Sequence, residues 1–361
     1  MKKTISILIM LFGMVFMIGC RGQQSNDEGK IILKYWNSLT GTDGDIMRQL
    51  VKQFNDEHKN DEIEVVETFT QEQDHYTNLE LLIPRKKGPD VAIIHSHRVQ
   101  SYANSGLIQK LEPLMESTNI TFNSEDYIKD VFDSLYYKQG LYAVPLDVHP
   151  IGLFYNKTLL EKYNLTLPTN RAELIAVSKE IQSKEAEVSG LPLSIVWPSE
   201  LIWTTSLYQN GGLEIKTDLS PGYATPEGVA ALKSFADLIH VEGISPKNLS
   251  VDQDLFMFQA GKALFHIQGS WMLRGMVESG INFGVMPLSG LLGDNETTKD
   301  QIAVRSHTFV VPDSGSDISE VRQKAIMKFI KYMTENAGIW ATAGQIPASN
   351  IARDTEEYKS L

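Results

Sequence analysis

The chain is poor in cysteine and lacks a hydrophobic run long enough for a comfortable membrane-spanning helix. Cys20 is the only cysteine among its 361 residues. No disulfide can form within the chain, so the fold must be held by its core. The apolar run from Ile5 to Gly19 falls short of the roughly 20 residues that a spanning helix needs. These absences exclude disulfide-stapled scaffolds and multi-span membrane proteins.

Positive charge is also in the minority, and several catalytic motifs are missing. Lysine and arginine number 33, against 45 aspartate and glutamate residues. This balance argues against nucleic acid as a partner, since phosphate backbones attract basic surfaces. The chain has no internal repeat and contains no nucleophile elbow, zinc-protease motif or phosphate-binding loop. Enzymes built on those motifs are therefore disfavoured.

The N-terminus carries the features of a lipoprotein signal peptide. Lys2 and Lys3 precede the apolar run, which ends at Gly19 directly before Cys20. In such a signal the cysteine sulfur receives a diacylglycerol, and cleavage makes the cysteine the first residue of the mature chain. The alternative is an ordinary signal peptide with an incidental cysteine. We predict a signal peptide over residues 1–20, a lipid anchor on Cys20 that attaches the protein to the outer face of the membrane, and a flexible tether over 21–29.

The first part of the mature chain alternates between strand and helix patterns. Strand-like runs at 31–36, 63–69 and 91–94 are separated by apolar residues at helical spacing. This order predicts a βαβαβ unit with a parallel sheet. Because ligands bind outside the carboxyl ends of such strands, the polar and aromatic residues that follow them are candidate ligand contacts. They are Trp36, Asn37, Gln71, Glu72, His95 and His97.

A second, helix-rich unit begins after Pro145. The proline follows an apolar strand and stiffens the crossing between two packed units. The polar pair Asp147 and His149 comes directly after it, so we expect both side chains in the gap between the units. The triplet Arg305-Ser306-His307, at the start of the last strand-like run, is a further candidate contact at the edge of this gap.

Several motifs resemble those of a known family. The stretch from Pro145 to Lys162 (PLDVHPIGLFYNKTLLEK) resembles, position for position, the signature of the extracellular solute-binding proteins of family 1. These are the carbohydrate-capturing receptors of bacterial ABC importers. Gly88-Pro89-Asp90, Ser105-Gly106-Leu107 and the block from Phe258 to Trp271 resemble further family motifs.

The resemblance implies an α/β, two-lobe fold of the periplasmic-binding-protein type, class II, with hinge strands between lobes that close over the ligand. It implies a first lobe formed by residues 30–143 plus 288–346 and a second, helix-rich lobe formed by 144–287 plus 347–361. The strand ending at Pro287 is the expected return crossing. The second lobe is expected to lack the family's C-terminal helices.

Sugars bind to an aromatic platform surrounded by planar polar side chains. Trp271 matches the family's stacking tryptophan, and Gly269 and Ser270 beside it indicate an exposed turn. The weaker candidates, because such side chains more often fill a core or an interface, are Trp36, Trp197, Trp203 and Tyr208. By the resemblance, His149 replaces a carboxylate that contacts the sugar in a relative, and His97 and Arg98 lie in a sugar-contacting loop.

Three alternatives for this site remain open. The resemblance favours a non-catalytic, cofactor-free, monomeric receptor that delivers a carbohydrate to a membrane permease. The ligand could instead be an iron complex, a phosphate ester or a peptide. A lipid-anchored glycoside hydrolase would need a carboxylate pair such as Glu72 and Asp147. His95, His97 and His149 also suggest a metal, but no His-x-x-x-His pair or supporting carboxylate pattern is visible, so we expect no metal site.

Overall fold

The structure is a computed structural model that describes residues 29–216, 220–315 and 318–360. The predicted signal peptide, Cys20 and all but the last residue of the predicted tether lie outside these residues. Among the helices that are described, none combines the length and the apolar character needed to cross a membrane.

Most described strands belong to two larger sheets. Within the described residues the strands are β1 (Ile31–Asn37), β2 (Ile63–Phe69), β3 (Val91–His95), β4 (Tyr136–Tyr137), β5 (Gly140–Leu141), β6 (Val144–Pro145), β7 (Asp147–Asn156), β8 (Phe265–Gly269), β9 (Phe283–Met286), β10 (Val304–Arg305), β11 (His307–Val310) and β12 (Ile346–Pro347).

Helices surround these sheets. The α-helices of the described chain are α1 (Gly41–Glu57), α2 (Glu72–Leu82), α3 (Val99–Asn104), α4 (Glu112–Thr118), α5 (Lys129–Asp133), α6 (Lys157–Tyr163), α7 (Arg171–Lys184), α8 (Ser199–Gln209), α9 (Pro226–His240), α10 (Gln253–Gln259), α11 (Leu273–Glu278), α12 (Glu320–Glu335), α13 (Asn350–Arg353) and α14 (Glu356–Lys359). Short 3-10 helices cover Lys59–Asp61, Ser96–Arg98, Ser124–Asp126, Ser270–Met272 and Ala337–Ala343.

The first sheet has the strand order β2-β1-β3-β11-β6. Strand β1 pairs in parallel with β2 and β3, and β11 runs antiparallel between β3 and β6. Four of the five residues of β3 are apolar and buried, as expected of a central strand covered on both faces. The predicted βαβαβ unit is confirmed.

The second sheet is built around the ten-residue strand β7. Strands β8, β9, β10 and β12 all pair antiparallel with it. The Tyr155-Asn156 pair of the signature ends this strand, and the Asn156 side chain accepts a hydrogen bond from the backbone N–H of Leu159. This cap satisfies one of the free donors in the first turn of α6. The motif therefore encodes a strand-to-helix junction.

Each sheet belongs to its own lobe with its own hydrophobic core. The first core contains side chains of β1, β3, β11 and α12, with Trp340 fully buried. The second contains side chains of β7, β8, α7 and α8, and a small satellite core packs beside it. The two-lobe α/β fold is therefore as predicted.

Two predicted lobe boundaries need correction. Leu288, Leu291 and Ala303 pack in the second core, whereas the prediction placed residues 288–303 in the first lobe. Ala348 and Ala352 pack in the first core, whereas the prediction assigned 347–361 to the second lobe. The reason is that β9 pairs with β7, so the chain stays in the second lobe past Pro287 and crosses back only between β10 and β11.

Three chain segments meet at the hinge. The first runs from β6 to β7, which confirms the predicted crossing at Pro145, and the second from β10 to β11. The third is β12, which pairs with the first two residues of β7 before the chain returns to the first lobe. The backbone N–H of Ala348 then donates to the carbonyl of Leu146 at 2.9 Å. These segments bring residues from distant parts of the sequence to one place.

Candidate functional site

A cavity of about 770 Å³ opens between the two lobes, within the size range of small-molecule sites. Strand ends and loops of the first lobe form one wall, and helix starts of the second lobe form the other. The residues that line the cavity are Ser38, Leu39, Thr40, Gly41, Asp43, Glu72, His95, His97, Arg98, His149, Trp197, Glu200, Trp271, Met272, Arg274, Gly275, Glu278, Arg305, His307, Ala343 and Gln345.

Trp271 is the main aromatic surface of the second-lobe wall. A Cβ atom at Gly269 would overlap the ring of Trp271, so only glycine leaves room for the indole there. The ring of Trp197 lies 5.8 Å from that of Trp271, at an interplanar angle of 31°. The two indoles give this wall an extended apolar face of the kind that the C–H face of a sugar ring packs against.

Four histidines also line the cavity. The predicted residues His95, His97 and His149 are brought together with His307, which the sequence analysis gave only as part of the edge contact Arg305-Ser306-His307. The ring of His307 lies 4.9 Å from that of His95 and 4.6 Å from that of His149. His95 and His307 are cross-strand partners of β3 and β11, which explains why they are adjacent.

Asp147 lies behind these histidines rather than in the cavity. Its carboxylate is fully buried and accepts hydrogen bonds from the backbone N–H and the Nδ1 of His307, each at 2.7 Å, from the indole N–H of Trp340 at 2.7 Å, and from Nδ1 of His149 at 3.3 Å. The prediction that Asp147 contacts the ligand is therefore wrong, because protein donors occupy both carboxylate oxygens.

Burial and mutual repulsion set the charges of this cluster. Desolvation by burial, together with the neighbouring imidazoles, holds the pKa of His95 well below its usual value. Burial and then Arg305 lower the pKa of His97 to about 4. Burial would also lower the pKa of His307, but Asp147 outweighs it and raises that pKa. Burial opposes ionisation of Asp147, yet His307 and His149 keep its pKa well below the ordinary value.

The three arginines that line the cavity all have glutamate partners. Arg305 forms an ion pair with Glu200. The Nε of Arg274 donates to Glu278 at 2.8 Å, and a guanidinium nitrogen of Arg98 lies 3.9 Å from Glu80. The cavity therefore presents arginines whose positive charge is already largely balanced.

Besides Asp147, several predicted contacts do not line the cavity. Trp36 packs partly buried against the first core, and Gln71 is exposed at the start of α2. Trp203 lies inside the second lobe with its ring 6.0 Å from that of Tyr223. Asn37 is buried: its side chain donates to Glu67 at 2.7 Å and accepts from the Leu39 N–H at 3.0 Å. It thereby shapes the loop of residues 38–41 that does line the cavity.

The sequence analysis selected neither Glu200 nor Gln345 and gave Trp197 only as a weaker candidate, yet all three line the cavity. Trp197 and Glu200 stand at the start of α8, and their approach to the cavity depends on how that helix packs. Gln345 comes from the third hinge segment; it is buried, and its Oε1 has no hydrogen-bond partner among the described residues. Arg305 and His307 belong to the predicted edge contact Arg305-Ser306-His307, and both line the cavity.

Residues 39–339 match the family model described as bacterial extracellular solute-binding protein. The chain belongs to this family. Among curated relatives it is similar to the maltotriose-binding protein of Pyrococcus abyssi, with 22% identity over 314 residues that cover 86% of this chain and 63% of that protein. The chain spans 61 to 63% of the length of the first three curated relatives that it matches.

Solved structures of similar fold include members of this family. The GacH receptor of Streptomyces glaucescens, solved unliganded and with acarbose, has a TM-score of 0.76 at 20% identity, with 92% of this chain and 84% of that chain covered. UgpB of Mycobacterium tuberculosis, solved with glycerophosphocholine, has a TM-score of 0.77 at 19% identity, with 92% and 82% covered. These similarities confirm the two-lobe fold.

Proposed function

We propose that the protein is the receptor of a bacterial ABC importer and captures a carbohydrate between its two lobes. The observation that carries this proposal is the cavity itself, in which Trp271 and Trp197 of one lobe face polar loops of the other. A sugar would stack on the indoles and exchange hydrogen bonds with Glu72, His97 and Gln345. A relative named for maltotriose and a structural neighbour solved with acarbose support this ligand class.

The delivery step and the location follow from the same proposal. A closed receptor would present surfaces of both lobes to a membrane permease, as expected for an importer of this family. The lipid anchor on Cys20 and the monomeric state belong to the proposal. We also propose that the protein is not an enzyme, because Asp147 lies out of the ligand's reach and Glu72 therefore lacks that partner for glycoside hydrolysis.

A phosphate ester is the competing ligand class, since one structural neighbour holds glycerophosphocholine. Recognition of phosphate usually depends on arginines that are free to form paired hydrogen bonds. Here Arg305, Arg274 and Arg98 each lie beside a glutamate. This pairing favours a neutral ligand over an anionic one.

A thermal-shift screen tests the proposal. The chain is heated with a panel of mono- and oligosaccharides, and with glycerophosphodiesters as the competing class. A ligand present at 100 times its Kd stabilises the folded state by about 2.7 kcal/mol, which raises the Tm. We expect one sugar class to raise the Tm. A shift with the glycerophosphodiesters alone, or with neither class, would contradict the carbohydrate proposal.

A further inference from the structure

Three of the cavity histidines form a cluster with the arrangement of a metal site. In His95, His149 and His307, one ring nitrogen of each, Nδ1 or Nε2, lies within 4.8 Å of the other two. Tetrahedral Zn²⁺ with Zn–N bonds near 2.0–2.1 Å would hold its nitrogens about 3.4 Å apart. The rings are therefore close enough for side-chain rotation and hinge movement to bring three nitrogens onto one ion.

The Nδ1 atom of each of the three rings lies within hydrogen-bond distance of a partner side chain. Nδ1 of His307 and Nδ1 of His149 donate to the two oxygens of Asp147. Nδ1 of His95 lies 2.6 Å from the hydroxyl of Tyr76. These are the only hydrogen bonds of the three rings among the described residues, so each Nε2 remains available.

An outer carboxylate or hydroxyl on the far nitrogen is what orients metal-binding imidazoles in proteins. The sequence analysis expected no metal site in part because the sequence pattern shows no carboxylate that would support the histidines. Asp147 is that carboxylate, and it supports two imidazoles at once. Only the sheet pairing reveals it, because His307 follows it by 160 positions.

We propose that His95, His149 and His307 bind one divalent transition-metal ion of the Zn²⁺ type through their Nε2 atoms. Imidazole suits Zn²⁺, Ni²⁺ and Cu²⁺, and three protein ligands leave at least one coordination position open. All three rings line the cavity while Asp147 lies behind them, so the open position faces the cavity. The inference goes beyond the carbohydrate proposal and does not depend on it.

The position of the trio gives metal binding a mechanical consequence. His95 and His307 stand on the first sheet, whereas His149 stands on β7 of the second. An ion bound by all three would tie the two lobes together at the hinge. It would also oppose separation of β7 from β11.

The test is titration of the full chain, prepared without a polyhistidine tag and stripped with EDTA, with Zn²⁺ in competition with a chromophoric chelator. We expect one Zn²⁺ per chain. His95→Ala and His149→Ala should each weaken Zn²⁺ binding at least about 100-fold. Tyr76→Phe should weaken it by about 10-fold, since this substitution removes only the outer hydroxyl. His240→Ala, at an exposed position on α9, is the matched control and should bind like the unaltered chain.

Two further measurements keep the test decisive. Circular dichroism melts show that each variant is folded without metal, and His149→Gln replaces His149→Ala if the latter unfolds. Co²⁺ should give visible absorption bands of a tetrahedral site, lost in His149→Gln. The proposal would be overturned if the chain bound Zn²⁺ more weakly than the chelator does. It would also be overturned if Zn²⁺ binding survived both alanine substitutions.

Repeating the carbohydrate screen with and without Zn²⁺ separates the two proposals. A Tm shift by a sugar in metal-free protein would support the receptor proposal even if Zn²⁺ does not bind. Stoichiometric Zn²⁺ binding without any sugar response would support the metal site and leave the carbohydrate proposal contradicted.

Discussion

At the residue scale, Trp271 owes its position to the glycine two places before it. The backbone of Gly269 lies where the indole passes, and a Cβ atom there would overlap the ring. His149 packs against the ring edge-on, with centroids 5.7 Å apart and an interplanar angle of 83°. The tryptophan is therefore held at the wall of the cavity by contacts from both sides.

Replacing Trp271 with alanine should weaken ligand binding and leave the fold intact. The indole is only partly buried, so its loss removes the surface on which the ligand stacks but little of the packing of the hydrophobic core. We expect the Kd of the sugar found in the screen to rise about 30-fold, or about 2 kcal/mol, as for a central aromatic contact. Isothermal titration calorimetry measures it. Trp203→Ala is the control, since that indole lies outside the cavity; equal losses in both variants would contradict the platform role.

A buried acid in the second lobe should make stability depend on pH. Asp254 lies beside His266 in the satellite core, 3.7 Å away, and burial raises the pKa of Asp254 to about 6. Its folded-state pKa lies above its ordinary value of 3.8, so the stabilising contribution is present below pH 4 and is lost as pH rises through 6. Asp254→Asn removes this loss.

We expect Asp254→Asn to be more stable than the unaltered chain at pH 7, by on the order of 2 kcal/mol, with a smaller difference at pH 4. Urea unfolding at the two pH values measures the difference. Asp294→Asn, at an exposed loop position, should change neither value. A difference that does not grow with pH would contradict the raised pKa.

At the scale of elements, the hinge is organised by one carboxylate. Asp147 opens β7, accepts hydrogen bonds from His307 of β11, and accepts another from Trp340 of the 3-10 helix Ala337–Ala343. It thus joins three chain segments where the two sheets meet. The lining residue Gln345 lies just beyond that 3-10 helix, so this bonding also positions part of the cavity.

Asp147→Ala should be strongly destabilising. It leaves the indole N–H of Trp340 and the backbone N–H of His307 buried without acceptors, and losing one member of a buried charged pair typically costs about 3–5 kcal/mol. Urea unfolding at pH 7 measures it. Because the pKa of Asp147 is lowered, the stabilisation is present above its ordinary pKa and is lost only as the pH falls below about 4. Glu72→Ala, at an exposed position, should stay within about 0.5 kcal/mol of the unaltered chain; a similar loss in both would refute the hinge role.

At the scale of the whole molecule, the lobes are separate packed units joined by three short segments. Each lobe has its own core, and the cavity lies between them. Relative motion of two such units is the ordinary expectation. A ligand that contacts both walls favours the closed arrangement, because only that arrangement makes all the contacts.

Small-angle X-ray scattering should therefore show a smaller radius of gyration with saturating sugar than without it. The same measurement gives the molecular mass and tests the monomeric state. Trp271→Ala at the same sugar concentration should scatter like the unliganded chain. An unchanged radius in the unaltered protein at saturation would mean that the lobes do not close on this ligand.

Much of the fold was predictable because it is encoded locally. The alternation of β1, α1, β2, α2 and β3, the proline crossing before β7 and the Asn156 cap all depend on residues within a few positions of one another. The boundary near Ala303 was not predictable, because the sequence pattern of β9 fits a hinge strand as well as it fits a strand paired with β7. Only the pairing with Tyr155 and its neighbours decides between them.

The amino-acid sequence by itself determined the family, the two-lobe architecture and the place of Trp271 at the end of strand β8, since each follows from a contiguous motif. The tertiary structure alone decided that Asp147 is buried, that Trp197 faces the cavity and that His95, His149 and His307 share one place. The first and the last of these facts depend on the antiparallel pairing of strands whose residues lie up to about two hundred positions apart, and the second depends on how α8 packs. Hydrogen bonding between strands, rather than spacing along the chain, sets such distances.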